Sequence, residues 1–222
     1  MYQLIIFDWD GTIMDSAQKI ANCVKASARD LGLKEPTDQE AKNIIGLGLR
    51  EGMALLFSDQ DDAMVDRIVD CYKHHFITND KTEQSLFEGV EQGLHTLNEN
   101  GVLLAVATGK ARRGLTRVFD EVGLQQYFTV TRCADETRSK PHPQMLHEIL
   151  DFTAIDPRNS IMVGDTTYDM DMAANAGMHG LGCSYGVHTE EALRQAAAVD
   201  VLDSFNNVVS WLMNDRLVRA YG

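Results

Sequence analysis

An apolar run from Tyr2 to Phe7 passes without a spacer into Asp8-Trp9-Asp10-Gly11-Thr12, and no other stretch limits the possible folds as sharply. Its short length and its β-branched and aromatic members predict a buried strand. Two carboxylates therefore stand where a strand stops. Open α/β sheets place their chemistry in the crevice beyond the carboxyl ends of the strands. Carboxylates one residue apart repel unless a cation lies between them or one holds a proton, and both solutions suggest chemistry. Gly11 permits a turn that a Cβ would resist, and Thr12 offers a hydroxyl to hold it. A solvated acidic turn explains Asp-x-Asp-Gly, taken alone, equally well. A calcium loop does not, because it needs a third acidic or amide position before the glycine and a glutamate at its twelfth position, where this chain has Lys19.

Downstream, Val102 to Ala107 and Ile161 to Val163 are continuous apolar runs, the mark of strands covered on both faces. Phe128 to Cys133 and Met178 to Cys183 read as further strands, with a short one near Val201. Helical periodicity fills the intervals: Val90, Leu94 and Leu97, then Leu115, Val118, Phe119 and Val122, then Met145, Leu146, Ile149 and Leu150. This alternation predicts a parallel sheet with helices on both faces. Between about 16 and 82 the pattern changes to helices alone. Asp15 to Leu31 predicts a one-faced helix capped by Asp15, and Thr37-x-x-Glu40 a capping box. A helix follows around Met53 to Phe57, and a longer one carries Met64, Ile68, Cys71, Tyr72 and Phe76. The expected organisation is a doubly wound, Rossmann-like α/β core of residues 1–15 plus 83–222 and an inserted α-helical bundle of residues 16–82. Hinges are expected near residues 15–17 and 81–86.

The chain is 222 residues long and 44% hydrophobic, enough for a sizeable core. No apolar run approaches membrane-spanning length, and the N-terminus lacks the basic region of a targeting segment. Four cysteines stand singly, without a Cys-x-x-Cys pair, which disfavours a zinc site or a disulfide framework. These features predict a soluble protein of the reducing cytoplasm with no membrane partner. A formal charge of −13 argues against nucleic acid, whose binding needs a basic surface. A phosphate site in such a chain must be made positive locally, by a metal and a few placed cations.

Four segments fall at or just after strand ends: Asp8/Asp10, Thr108-Gly109-Lys110, Lys140 and Asp165/Asp169. Each suits phosphoryl transfer. Asp8, closest to the rigid strand, is the candidate nucleophile for a two-step hydrolysis through an aspartyl phosphate. Asp10 is the candidate general acid and then base. Magnesium prefers carboxylate oxygens, so Asp8 and Asp165, with a backbone carbonyl of Asp10, make a plausible ligand set. Lys140 supplies a second positive charge, and the Thr108 hydroxyl with nearby amides, Gly109 included, can hold phosphate oxygens. Taken singly, a threonine after a strand, a Lys-Pro loop and a Gly-Asp pair are ordinary loop chemistry; together and in this order they are a strong signal.

The set Asp8-x-Asp10-Gly11-Thr12, Thr108-Gly109-Lys110, Lys140-Pro141-His142-Pro143 and Gly164-Asp165-Thr166-Thr167-Tyr168-Asp169 resembles, in type and order, the motifs of the haloacid dehalogenase superfamily. The helical insert is similar to the cap of its branch containing phosphoglycolate phosphatase and β-phosphoglucomutase. The resemblance implies strand order 3-2-1-4-5, Asp165 as a direct magnesium ligand and Asp169 acting through a water. Asp10 as second acid resembles the phosphatases and the mutase, whereas dehalogenases lack it. Glu88 departs from the proline common in the branch, which bears on hinge stiffness. Gly46-Leu47-Gly48-Leu49-Arg50 resembles in position a cap loop that dips into the site, and Arg50 there would recognise an anionic tail such as a glycolate carboxylate, unless it is simply solvated. Lys110 is the best placed of Lys110, Arg112 and Arg113 to supply local positive charge; the two arginines read as a solvated helix face. The expected activity is magnesium-dependent hydrolysis of a small phosphorylated metabolite, with phosphoglycolate the leading guess. A phosphosugar mutase and a binding or regulatory protein retaining the fold are the alternatives. A dinucleotide-binding site is disfavoured by the missing Gly-x-Gly-x-x-Gly after the first strand. Nothing in the pattern specifies an oligomer.

Overall fold

The computed structural model describes residues 2–221. Strand β1 (Leu4–Phe7) is followed by a two-residue strand β2 (Met14–Asp15) and four helices, α1 (Ala17–Asp30), α2 (Asp38–Lys42), α3 (Leu49–Leu56) and α4 (Asp62–His74), the last running on into a π-helical turn, His75–Asn79. After β3 (Ser85–Leu86), strands and helices alternate: α5 (Val90–Glu99), β4 (Leu103–Thr108), α6 (Arg112–Val122), β5 (Val130–Cys133), α7 (Gln144–Thr153), β6 (Ser160–Gly164), α8 (Thr167–Asn175), β7 (His179–Cys183), α9 (Glu190–Gln195), β8 (Asp200–Leu202) and α10 (Phe205–Tyr221). Among the described residues no helix is long and apolar enough to cross a membrane.

Six strands form one parallel sheet in the order β5-β4-β1-β6-β7-β8. This is the expected 3-2-1-4-5 order with a sixth strand added at the edge. Side chains alternate across β1: Ile5 and Phe7 enter a core beneath α5, α6 and α10, while Leu4 and Ile6 enter a second one beneath α7 and α8. Burial on both faces is why the strand reads as an unbroken apolar run. The chain leaves β1 toward β4 and returns to β6 on the other side, which puts the topological switch between β1 and β6. Phe7 pairs with Val163 there, so Asp8 leaves the sheet level with Gly164 and next to Asp165, one residue further on.

The insert has a separate core, with Val24 and Ala28 of α1, Met53 of α3 and Ile68 and Tyr72 of α4. The Thr37/Glu40 capping box forms, with Glu40 N 3.2 Å from Thr37 Oγ1 and Thr37 N 2.8 Å from Glu40 Oε2. Two local expectations change, and one feature is added. The helix expected around Met53 starts at Leu49, because Gly52 lies within it, its Cα side packed against Ile44. Ser16, not Asp15, holds the N-cap position of α1, and its hydroxyl is committed elsewhere. At the edges of the two segments expected as hinges a short antiparallel ribbon forms, Met14 opposite Leu86 and Asp15 opposite Ser85. Two residues are too few to show a period of two in sequence.

Candidate active site

The tight turn after β1 is organised by one carbonyl: Trp9 O accepts from the amides of Thr12, Ile13 and Met14. Gly11 sits at φ +85°, and a Cβ there would collide with the Asp165 carboxylate. Backbone conformation and space both demand glycine at this position. The turn delivers Asp8 and Asp10, 1% and 8% exposed, to the carboxyl edge of the sheet. Asp165 and Asp169 reach the same edge from the end of β6 and the first turn of α8, and Lys140 from the loop before α7. All three are buried.

Lys140 Nζ lies 2.8 Å from Asp8 Oδ1 and 2.7 Å from Asp169 Oδ1. Asp169 Oδ2 accepts from the Thr166 hydroxyl at 2.7 Å and the Thr166 amide at 3.1 Å. Asp165 accepts from Thr12 Oγ1 at 2.8 Å and from the Val187 amide at 2.9 Å. Asp8 differs from both neighbours. Its Oδ1 is paired with Lys140, and no donor among the described residues reaches its Oδ2. Buried polar atoms are rarely left so.

Burial pushes the Asp8 carboxyl up to about 7, against the pull of the Lys140 ammonium and with the help of the Asp169 and Asp10 charges. Burial, then the charges of Asp8 and Asp169, hold Asp165 well above the usual carboxylate range despite its bonds from Thr12 and Val187. Burial works against the charge on Lys140 but is outweighed by Asp169 and Asp8, so its pKa is raised. Oxygens of Asp8, Asp165 and Asp169 all lie within 4.8 Å of one another. Three carboxylates around one ammonium leave a deficit of positive charge that a divalent cation suits, and Asp8 offers it an oxygen that no donor among the described residues reaches.

Asp10 belongs to a second, more open group. Its Oδ1 accepts from Ser16 Oγ at 2.6 Å and lies 2.9 Å from Lys110 Nζ. Thr108, fully buried at the end of β4, accepts from the Lys110 amide at 3.2 Å. Gly109 lies against the insert: a Cβ there would run into the carbonyl oxygens of Leu47 and Gly46. The same loop is tied down by Gly48 N donating to Ser139 Oγ at 2.7 Å, and Tyr168 Oη donates to Asn43 O at 3.0 Å. Between this loop, the rest of the insert and the sheet edge lies a cavity of about 600 Å³, with Asp8 and Asp10 in its lining.

The structure thus gathers Asp8, Asp10, Thr108, Gly109, Lys110, Lys140, Asp165 and Asp169 along one sheet edge. Arg50 is not among them. Its guanidinium is held by Asp62 at 2.8 Å and Asp66 at 2.9 Å on α4, and it does not line the cavity. Arg112 turns away to Glu136 and Thr131, whereas Arg113, expected on a solvated face, lines the cavity together with Arg117. Ser16, Thr166 and Val187 also serve the site without being singled out by the sequence pattern. The Thr166-x-x-Asp169 spacing of a capping box is a usable signal for the second. A loop amide such as that of Val187 leaves no mark in sequence.

Residues 5–183 match the family described as haloacid dehalogenase-like hydrolase. A protein of Dickeya dadantii named probable phosphatase IndB is 33% identical over 213 residues, covering 94% of this chain and 93% of its own. The phosphoglycolate phosphatase of Agrobacterium fabrum is 27% identical over 91% of this chain and 88% of its own. Among solved structures, a predicted phosphatase from Clostridium acetobutylicum superposes with a TM-score of 0.86 at 24% identity, over 96% of this chain and 99% of its own. That likeness concerns the fold.

Proposed function

The chain belongs to the haloacid dehalogenase-like hydrolase family, in the branch with the phosphoglycolate phosphatases, and from that premise we propose that it is a magnesium-dependent phosphatase acting on small phosphate monoesters through an aspartyl phosphate at Asp8. The observation that carries the reading is the Asp8 carboxylate. It is buried at a strand end, is paired with Lys140 through one oxygen, and borders the cavity with no donor on the other. A buried carboxylate oxygen without a donor suits a group that meets a cation or a substrate.

In this reading a carboxylate oxygen of Asp8 attacks phosphorus and the ester oxygen departs, taking a proton from Asp10. Asp10 then removes a proton from water, the hydroxide attacks phosphorus, and inorganic phosphate leaves with Asp8 restored. Asp8 and Asp165 are the residues that would hold magnesium, with the Asp10 carbonyl. When bound, the ion supplies the positive charge that offsets repulsion between the nucleophile and the phosphate dianion. Asp169 has both oxygens committed, to Lys140 and to Thr166, so its part is to orient the lysine and to act on the ion through water. Lys140 steadies the Asp8 carboxylate. Thr108 and the Gly109 amide receive phosphate oxygens, and Lys110 with Ser16 fixes Asp10. Residues 16–82 act as a cap over a core of residues 1–15 plus 83–222, and the β2-β3 ribbon is where the two are joined.

Borohydride trapping tests the covalent step. Enzyme quenched during turnover and reduced should yield homoserine at position 8 on peptide mapping, because borohydride reduces an acyl phosphate. Turnover that proceeds with no carboxylate trapped, or with a different one trapped, overturns the assignment.

A further inference from the structure

The cavity is asymmetric in its chemistry. On the core side it is lined by Asp8, Asp10 and Gly109 and by three cations, Lys110, Arg113 and Arg117, from the loop after β4 and from α6. Its opposite wall comes from the insert and is built largely from apolar side chains, including Ile20, Val24, Ile44, Leu49, Met53 and Phe76. Among the described residues only Tyr72 and Lys73 add a polar side-chain group to that wall. Lys73 is half-exposed and paired with Asp70 at 3.4 Å. Arg50, the insert residue best suited to a carboxylate, is held by Asp62 and Asp66.

A ligand extending past Phe76 with hydroxyls or a carboxylate on its organic end would leave those groups against hydrocarbon, where an unpaired polar group is costly. A two-carbon acid would also leave most of a 600 Å³ space unused; cavities of about 300–1,000 Å³ enclose drug-sized molecules. Lys110 and Arg117 stand over the Phe76 ring at 5.3 and 5.5 Å from its centroid, so positive charge follows the core side as far as that ring and the rest of the insert wall is mainly hydrocarbon. We infer that the natural substrate is a phosphate monoester of an apolar alcohol larger than glycolate, with its hydrocarbon part lying against the insert. The inference rests on the phosphatase reading above and names the substrate class for that site.

The test compares initial rates with magnesium for n-hexyl phosphate, glycerol 3-phosphate and 2-phosphoglycolate. The first two release similar primary alkoxides, so their ratio reports the organic group and not the leaving group. A buried methylene is worth about fourfold in binding, so kcat/KM for the hexyl ester should exceed that for the glycerol ester by at least about tenfold. Ile77 is exposed and lines the cavity, so Ile77→Gln can be made without disturbing a core, and it should lower the hexyl-to-glycerol ratio several-fold. Leu47→Gln, on the loop over Gly109, should do the same. Equal or better turnover of the glycerol or glycolate ester overturns the inference and leaves the phosphatase reading standing, as does a ratio that neither variant moves. Absence of turnover on every ester defeats the phosphatase reading, and the inference with it.

Discussion

The balance of charge around Asp8 is what a single residue decides. Among the described residues Lys140 is the one cation buried between Asp8 and Asp169, and removing one partner of a buried ion pair strands the other. Lys140→Met is therefore expected to destabilise the protein by about 3–5 kcal/mol in chelator, measured by urea unfolding, with part of the loss regained in magnesium. Thr12→Val removes the donor to Asp165 at 2.8 Å and should cost about 1–3 kcal/mol by the same measurement. Asp8 and Asp165 are legible in the sequence because each follows a fully buried strand without a spacer. Arg50 is misleading for the opposite reason. Its position at a helix start is readable, but the direction of a long flexible side chain is set by partners 12 and 16 residues away, and nothing in the spacing marks Asp62 and Asp66 as those partners.

At the scale of elements, the loop from Gly46 to Gly48 and the turn after β4 meet backbone to backbone. Gly109 is the residue that allows it. Gly109→Ala should push the two apart and lower kcat/KM by about a hundredfold, the size of effect seen when a site is displaced by an ångström; circular dichroism should show the fold retained. Thr37→Ala, at the α2 capping box far from the chemistry, should lower stability by about 1 kcal/mol and leave the kinetics of phosphate release unchanged. The strands, most helices and the capping box are visible in the pattern because burial and capping repeat on short periods. The β2-β3 ribbon is not, since its partners are far apart in the chain, Met14 with Leu86, and each side contributes only two residues. The start of α3 is hidden because glycine weakens a helical pattern that tertiary packing against Ile44 overrides.

For the whole molecule, a chain of net charge −13 meets an anionic ligand by concentrating cations at one place: Lys110, Arg113 and Arg117 line the cavity and Lys140 lies beneath it. The parallel sheet supplies the matching acids at its switch point between β1 and β6. If those acids hold magnesium, the folded state alone binds it, and a hundredfold excess over the dissociation constant should add about 2.7 kcal/mol of stability. That gain should be seen as a higher melting temperature in the wild type and be largely absent in Asp165→Asn. The account turns, in the end, on whether Asp8 is the nucleophile. Phosphate release from a panel of monoesters, with magnesium and with chelator, for the wild type and Asp8→Asn, tests this most directly. Turnover should require magnesium and vanish in a folded Asp8→Asn protein. Turnover that persists in that variant, or that is indifferent to chelator, would contradict it.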